Sequence, residues 1–249
     1  MPELARTNLS ASSRNKVHCA TCVLSHLCIA SGLTKEELIN LDTIQKSKTR
    51  LQRNDVLYHS GEVNTKIYAV SAGSLKTSIV NNNGIEQITG FYLPGEIVGL
   101  DGLGGLTPNS TAYAVESSTV CEIAEKDFDR LCENNTGLRQ SFMRILSKEI
   151  TREQQMLMSL GQMSADTKLA NFIISLSVRY KERGFSASEF NLSMSRHDIA
   201  NYLGLAVETL SRLFKKFQKN NLLEVNHRNI KIVDYETLVT MANASRNKD

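Results

Sequence analysis

The stretch from Gly137 to Leu160 restricts the fold more than any other part of this 249-residue chain. Arg139, Met143, Leu146, Ile150, Glu153, Leu157 and Leu160 follow one another on alternating four- and three-residue steps. That spacing is a heptad seam, by which a helix lies along an identical partner. The stretch holds no Pro, and its next Gly is Gly161, where a helix is expected to end. A carboxylate on the seam is unusual. Two copies of Glu153 about 8 Å apart across a two-fold axis repel by roughly 2 kcal/mol at an effective dielectric near 20. Such a helix pairs conditionally. The alternative is one amphipathic core helix with Glu153 at its solvated edge, and the pattern alone leaves both open.

The chain carries 29 Lys and Arg against 26 Asp and Glu, a formal charge of +3. Nucleic-acid binding therefore has to come from a local patch. No apolar run approaches a membrane span, and the N-terminus lacks a signal-peptide core. The expectation is a cytoplasmic protein with no membrane partner. Five cysteines in a reducing compartment point to a metal or redox site rather than to disulfides.

Residues Met1 to Lys16 are polar and aperiodic, as a mobile tail would be. Cys19, Cys22 and Cys28 follow as C-x2-C-x5-C, with His18 and His26 among them. Thr34 and Glu37 form a capping-box pair for a short helix reaching Leu41. From Arg50 to Ala124 short β-rich runs alternate with turns at Gly61, Gly73, Asn83-Gly84 and Pro94-Gly95, which predicts an antiparallel sandwich or jelly roll. Period two puts Thr119, Cys121 and Ile123 on one face of its last strand. Beyond the seam, Ser164 caps a helix striped by Leu169, Phe172, Ile173, Leu176 and Tyr180 and closed by Gly184.

Arg196 to Leu203 reads as one short helix, Gly204-Leu205-Ala206 as a tight turn, and Val207 to Asn220 as a second helix. On the second, Leu210, Leu213, Phe214 and Phe217 share an inward stripe, while Glu208, Ser211, Arg212 and Lys215 share another face. Donors, acceptors and positive charge on one face suit a helix that reads double-stranded DNA in the major groove. Lys216 and Lys219 extend the basic surface towards phosphates. Two β-rich runs around Asn226 to Asn229 predict a wing; an ordinary helical hairpin is the competing reading.

Three clustered cysteines plus the distant Cys121 supply the four thiolates a 4Fe–4S cluster requires. Spacing alone leaves open a zinc site completed by Cys121, His18 or His26, and thiol chemistry as well. Cys132 is the odd thiol, expected half-buried in a helical linker. His18 and His26 read as polar loop residues, and Val23 and Leu27 as apolar neighbours that either shield the sulfurs or simply pack against the roll.

These features together resemble the CRP/FNR superfamily of bacterial transcription regulators, most closely its fumarate–nitrate reduction branch, whose recognition helix reads as Val207-Glu208-Thr209-Leu210-Ser211-Arg212 does here. The resemblance covers the chain from Cys19 onward. It implies an α+β fold: a cysteine-rich segment in residues 1–30, an antiparallel β-roll of the cyclic-nucleotide-binding type in 31–135, a dimerisation helix in 136–162, and a winged helix-turn-helix domain in 163–249. It implies a 4Fe–4S cluster on Cys19, Cys22, Cys28 and Cys121 that promotes a homodimer without oxygen. Conversion of that cluster by oxygen dissociates the dimer. It further implies that Glu208, Ser211 and Arg212 contact bases of TTGAT-type half-sites, that Asp129 pairs with Arg139 between subunits, and that the Asn81–Gln87 loop contacts RNA polymerase, a plain hairpin turn being the competing reading of that loop. Ala206 departs from the family's Ser or Thr and forgoes an N-cap worth about 1 kcal/mol.

Three other functions compete with this one. Cyclic-nucleotide relatives place an Arg-Ser pair where this chain has Ser110-Thr111, and no basic residue lies between Gly95 and Lys126. A cyclic phosphate would lack its cation, so no cyclic nucleotide is expected. Gly102 and Gly104-Gly105 lack the Lys-Ser/Thr of a phosphate loop, and no nucleophile–base constellation is evident, so no enzyme is expected. A zinc- or thiol-dependent regulator of the same fold remains the alternative.

Overall fold

The computed structural model describes residues 19–243. The polar stretch Met1–Lys16 and His18 lie outside the described residues. A 3-10 turn over Cys19–Thr21 leads through tight turns to helix α1 (Lys35–Ile44). Its capping box is formed as expected: Thr34 N–H donates to Glu37, and Glu37 N–H donates to the Thr34 hydroxyl.

Eight strands follow: β1 (Gln45–Leu51), β2 (Val56–Tyr58), β3 (Lys66–Ala72), β4 (Leu75–Val80), β5 (Glu86–Tyr92), β6 (Ile97–Val98), β7 (Thr111–Ala114) and β8 (Ser118–Ala124). They form two four-stranded sheets, ordered β1-β8-β3-β6 and β2-β7-β4-β5, paired antiparallel throughout. Leu51, Tyr58, Tyr68, Val70, Leu75 and Val120 fill the space between them. Tyr58 stacks on Tyr68 at 5.9 Å. This is the expected β-roll, with one strand more than the sequence pattern indicates, the polar edge strand β1.

Helix α2 (Glu125–Asn134) connects the roll to α3 (Thr136–Gln162), whose first turn is capped by the Asn135 side chain accepting from Leu138 N–H. Helix α3 has 27 residues, about 40 Å. It passes Gly161 and ends at Met163, a little beyond the expected stop. Only Leu138 and Ser141 are buried along it, which excludes the core-helix alternative for the single chain.

Helix α4 (Ala165–Glu182) starts at the expected Ser164 cap and buries Leu169, Phe172, Ile173 and Leu176. Strand β9 (Glu189–Asn191), helices α5 (Arg196–Leu203) and α6 (Val207–Lys219), strands β10 (Leu223–Asn226) and β11 (Asn229–Ile232), and helix α7 (Tyr235–Asn243) complete the described chain. The wing is a three-stranded sheet, β10-β11-β9. The core of this unit continues into the roll. Phe91 of β5 meets Phe172 and Tyr202 at 6.2 and 5.1 Å. The Asn201 side chain caps the exposed edge of β5, accepting from Ile88 N–H at 2.6 Å and donating to Glu86 O at 2.9 Å.

Candidate cysteine site and nucleic-acid interface

Cys19, Cys22, Cys28 and Cys121 line one pocket, walled by Leu24, Ile29, Ala69 and Ile123. Successive turns hold the N-terminal three: Cys22 N–H donates to Cys19 O, and Cys28 N–H to Leu24 O. Asp42 of α1 anchors the segment by accepting from Cys19 N–H at 2.5 Å. Cys121 comes from β8, held between β1 and β3. The sequence thus delivers three sulfurs on a turn-rich segment and one on a sheet.

Burial pushes the Cys19 thiol well above its ordinary range, followed by the Asp42 carboxylate and then by Cys28 and Cys121. Burial likewise raises Cys28 to about 12; N–H groups of Ile29 and Ala30 oppose the rise, while Cys121 and Cys22 add to it. Cys19 and Cys28 therefore sit out of water, within electrostatic reach of Cys22 and Cys121. Four negative thiolates there require a strongly positive partner. Among the described residues no group of three or more His, Cys, Asp or Glu side chains is arranged to hold a metal ion.

The surroundings differ from expectation in one respect. Val23 is 85% exposed and shields nothing; Leu24 takes that place. His26 Nε2 points away from the sulfurs to Glu182 O on α4, at 3.1 Å. Cys132 is half-buried in α2, as expected, with its thiol raised to about 11 by burial and Asp129 against a lowering by Arg139.

The cysteine pocket and the start of α3 share one hydrophobic unit. Ile29, Ala30, Leu41, Ile67, Phe128 and Leu138 form its centre, with Cys19, Cys28, Cys121 and Phe142 packed against it. Ser141 donates to Ser31 O at 3.0 Å, tying the end of the cysteine segment to α3. Further along α3, Met143, Ile150 and Leu157 are 57, 56 and 70% exposed. Arg139 and Glu153 are exposed beside them and Leu146 is half-buried. Leu160 departs from the seam and packs on the helix-turn-helix. A Cβ on Gly204 would lie 2.9 Å from Leu160 Cδ2 and push it aside, and the φ of +62° favours glycine there.

The second helix of the motif presents its two stripes as expected. Leu210, Leu213, Phe214 and Phe217 are buried, each stabilising by roughly 1.5–3 kcal/mol. Glu208, Ser211, Arg212 and Lys215 are exposed on the opposite side. Ala206 supplies no side-chain cap. Lys219 is exposed, but Lys216 is committed within the chain, its Nζ 2.6 Å from Asp166 on α4. Helix α5 is fixed by the Ser195–Asp198 capping box and by Lys76 of β4, 2.6 Å from Asp198.

A second cavity lies between the roll and α3, lined by Tyr58, Tyr92, Asp101, Ser110, Glu149 and Glu153 among others, with no Lys or Arg in its lining. A winged helix-turn-helix packed on a β-roll, with a long, largely exposed helix between them, defines a DNA-binding transcription regulator. The chain matches models of the cyclic nucleotide-binding domain over residues 48–135 and of the Crp-like helix-turn-helix domain over 167–241. It is 42% identical to the transcriptional activator protein Anr of Pseudomonas aeruginosa, over 91% of this chain and 93% of that one. It is 43% identical to the anaerobic regulatory protein of Aggregatibacter actinomycetemcomitans, over 93% and 90%. The structure of FixK2 from Bradyrhizobium japonicum shares the fold, with TM-score 0.74 and 23% identity over 80% of this chain and 98% of that one. The chain belongs to the CRP/FNR family of transcription regulators, which are not enzymes.

Among the described residues no helix is long and apolar enough to cross a membrane. Sequence reasoning missed Leu24 and Asp42 at the cysteine pocket. Asp42 carries no local signal, because its partner Cys19 lies 23 residues away.

Proposed function

We propose that this regulator senses oxygen in the cytoplasm through a 4Fe–4S cluster held by Cys19, Cys22, Cys28 and Cys121, and controls genes of anaerobic metabolism. The observation that carries the reading is the convergence of these four sulfurs on one apolar-walled pocket that shares its core with the start of α3. When bound, the cluster supplies an oxygen-labile link among four thiolates. Four cysteines line the pocket, and a 4Fe–4S cluster takes four thiolates, one on each iron.

The chain's own residues do the rest. The anchored segment braces Leu138 and Ser141 of α3, and α3 pairs with a second copy through Arg139, Met143, Leu146, Ile150, Glu153 and Leu157. The Asp129 carboxyl is raised by partial burial and by Glu125 and Glu133, a cost that pairing with Arg139 of the other subunit would relieve. Two recognition helices then meet a palindromic TTGAT-type site, with Glu208, Ser211 and Arg212 on bases and Lys215 on the flanking backbone. The Asn81–Gln87 hairpin, which carries exposed Ile85 and follows exposed Val80, is the proposed RNA polymerase contact. The acidic lining of the second cavity supports the absence of a cyclic-nucleotide ligand.

Replacing Cys121 with Ser tests the whole. Protein purified without air should lose its iron and sulfide and bind a TTGAT palindrome at least about tenfold more weakly, the loss expected when the competent dimer becomes a minor species. A Cys121→Ser protein that binds like the wild type would overturn the reading.

A further inference from the structure

The cysteine segment touches the DNA-reading unit by a route that does not pass through the dimer seam. Its meeting point is the Pro94-Gly95-Glu96 turn between β5 and β6. On one face of this turn, Leu27 sits against Gly95: a Cβ there would lie 2.8 Å from Leu27 Cβ, and Gly95 has φ +92°. Gly95 also lines the cysteine pocket. On the other face, Glu96 gathers arginines from both long helices. Its Oε1 accepts from Arg179 Nε at 2.9 Å and Arg183 Nη2 at 2.7 Å, and its Oε2 accepts from Arg179 Nη2 at 2.5 Å. Arg152 of α3 lies 3.8 Å away.

The same arginines also clamp the backbone of the turn. Arg183 donates to Pro94 O at 2.7 Å and Arg179 to Phe91 O at 2.7 Å. Arg179 and Arg183 are one turn apart near the end of α4, about 22 Å along the helix from the Ser164 cap where α4 leaves α3. Forked guanidinium–carboxylate contacts fix direction as well as distance. They therefore set the angle at which α4 carries the recognition helix. His26 adds a direct contact, its Nε2 donating to Glu182 O.

We propose that this turn is an intrasubunit relay, and that Glu96 is the positioning residue through which the state of the cysteine segment sets the orientation of the DNA-reading unit. The relay rests on the reading of the cysteines given above and adds to dimerisation a second requirement for DNA binding. Disturbing the segment moves Leu27, which moves Gly95, and the carboxylate one residue on shifts under its arginines.

The test uses full-length wild type and Glu96→Gln purified without air. Iron and sulfide content, dimer fraction and affinity for a palindromic operator are measured on the same samples. Hydrogen exchange of residues 179–183 is followed before and after air exposure. Glu96→Gln should keep the iron, sulfide and dimer fraction of the wild type, yet bind the operator about tenfold more weakly, because the competent orientation is no longer favoured. Its 179–183 segment should exchange as fast without air as that of the wild type does after air.

Unchanged operator affinity in Glu96→Gln, or wild-type exchange at 179–183 that ignores air, would overturn the relay. Should Glu96→Gln fold poorly by circular dichroism, Leu27→Gly replaces it, since it removes the Cβ that meets Gly95 and touches none of the arginine contacts. Iron retained with weakened operator binding supports the relay in that variant, and iron retained with normal binding overturns it. Absence of iron and sulfide from the wild type is a separate result, visible in the metal analysis, and would overturn the reading of the cysteines and the relay with it.

Discussion

Removing the carboxylate at Glu153 should tighten self-association of the chain after air exposure. In the folded subunit Glu153 stands exposed at the mouth of the cavity that Asp101 and Glu149 also line. Its carboxyl is raised above the ordinary value by partial loss of solvent, then by Glu149, against a lowering by Arg152, with a further rise from Asp101. A second copy across a two-fold axis adds one more like charge. At about 8 Å and an effective dielectric near 20 the pair costs roughly 2 kcal/mol. A Debye length of about 8 Å at physiological ionic strength reduces that to about 1 kcal/mol. Glu153→Ala should therefore lower the dimer Kd by roughly 5- to 30-fold.

Sedimentation velocity over a concentration series of air-exposed wild type and variant reads that Kd. The gap should narrow as salt is added. A raised carboxyl pKa means the charge opposes pairing above that pKa and is relieved as pH falls through it, so wild-type association should strengthen on mild acidification. The variant should lack that part of the response. Equal Kd values for the two proteins, or a gap indifferent to salt, would refute the repulsion argument.

Arg212→Ala should cost about 1–3 kcal/mol at one base pair of the operator, measured against single-base variants of the site; a uniform loss would instead mark a phosphate contact. Ala206→Ser should restore a side-chain cap to α6 and raise stability by about 1 kcal/mol in thermal unfolding. Cys28→Ser should abolish iron and sulfide, whereas Cys132→Ser should keep both, as elemental analysis would show. Glu96 loses solvent on burial, but Arg179, then Arg152 and Arg183, hold its carboxyl at about 2 against an ordinary 4.5. The stability this carboxylate contributes is present above pH 4.5 and is lost as pH falls towards 2. Acid unfolding of Glu96→Gln should lack that component.

Much of this architecture is legible locally. The capping box at Thr34 and Glu37, the Ser164 cap and the Gly204 turn depend on residues a few positions apart, and each forms as its spacing implies. The inward stripe of α6 follows from helical period alone. The elements that escaped are polar or short. Strand β1 is Gln-Lys-Ser-Lys-Thr-Arg-Leu at a sheet edge, where charge suits solvent but hides the period-two signal. Strand β9 has three residues and exists through its pairing with β11. Helix α7 did carry a signal, the Asp234 side chain accepting from Thr237 N–H at its start. The exposure of Val23, the diversion of Lys216 to Asp166, and the arginines on Glu96 all depend on partners brought together by packing. Nothing in the local pattern announces them.

Native mass spectrometry of the chain mixed with a TTGAT-palindrome duplex, run without air and again after air exposure, tests the central claim most directly. The account predicts two chains, each heavier by four irons and four sulfides, on one duplex before air, and mainly single chains off the DNA afterwards. A duplex carrying two chains with no added iron and sulfide, unchanged by air, would contradict it.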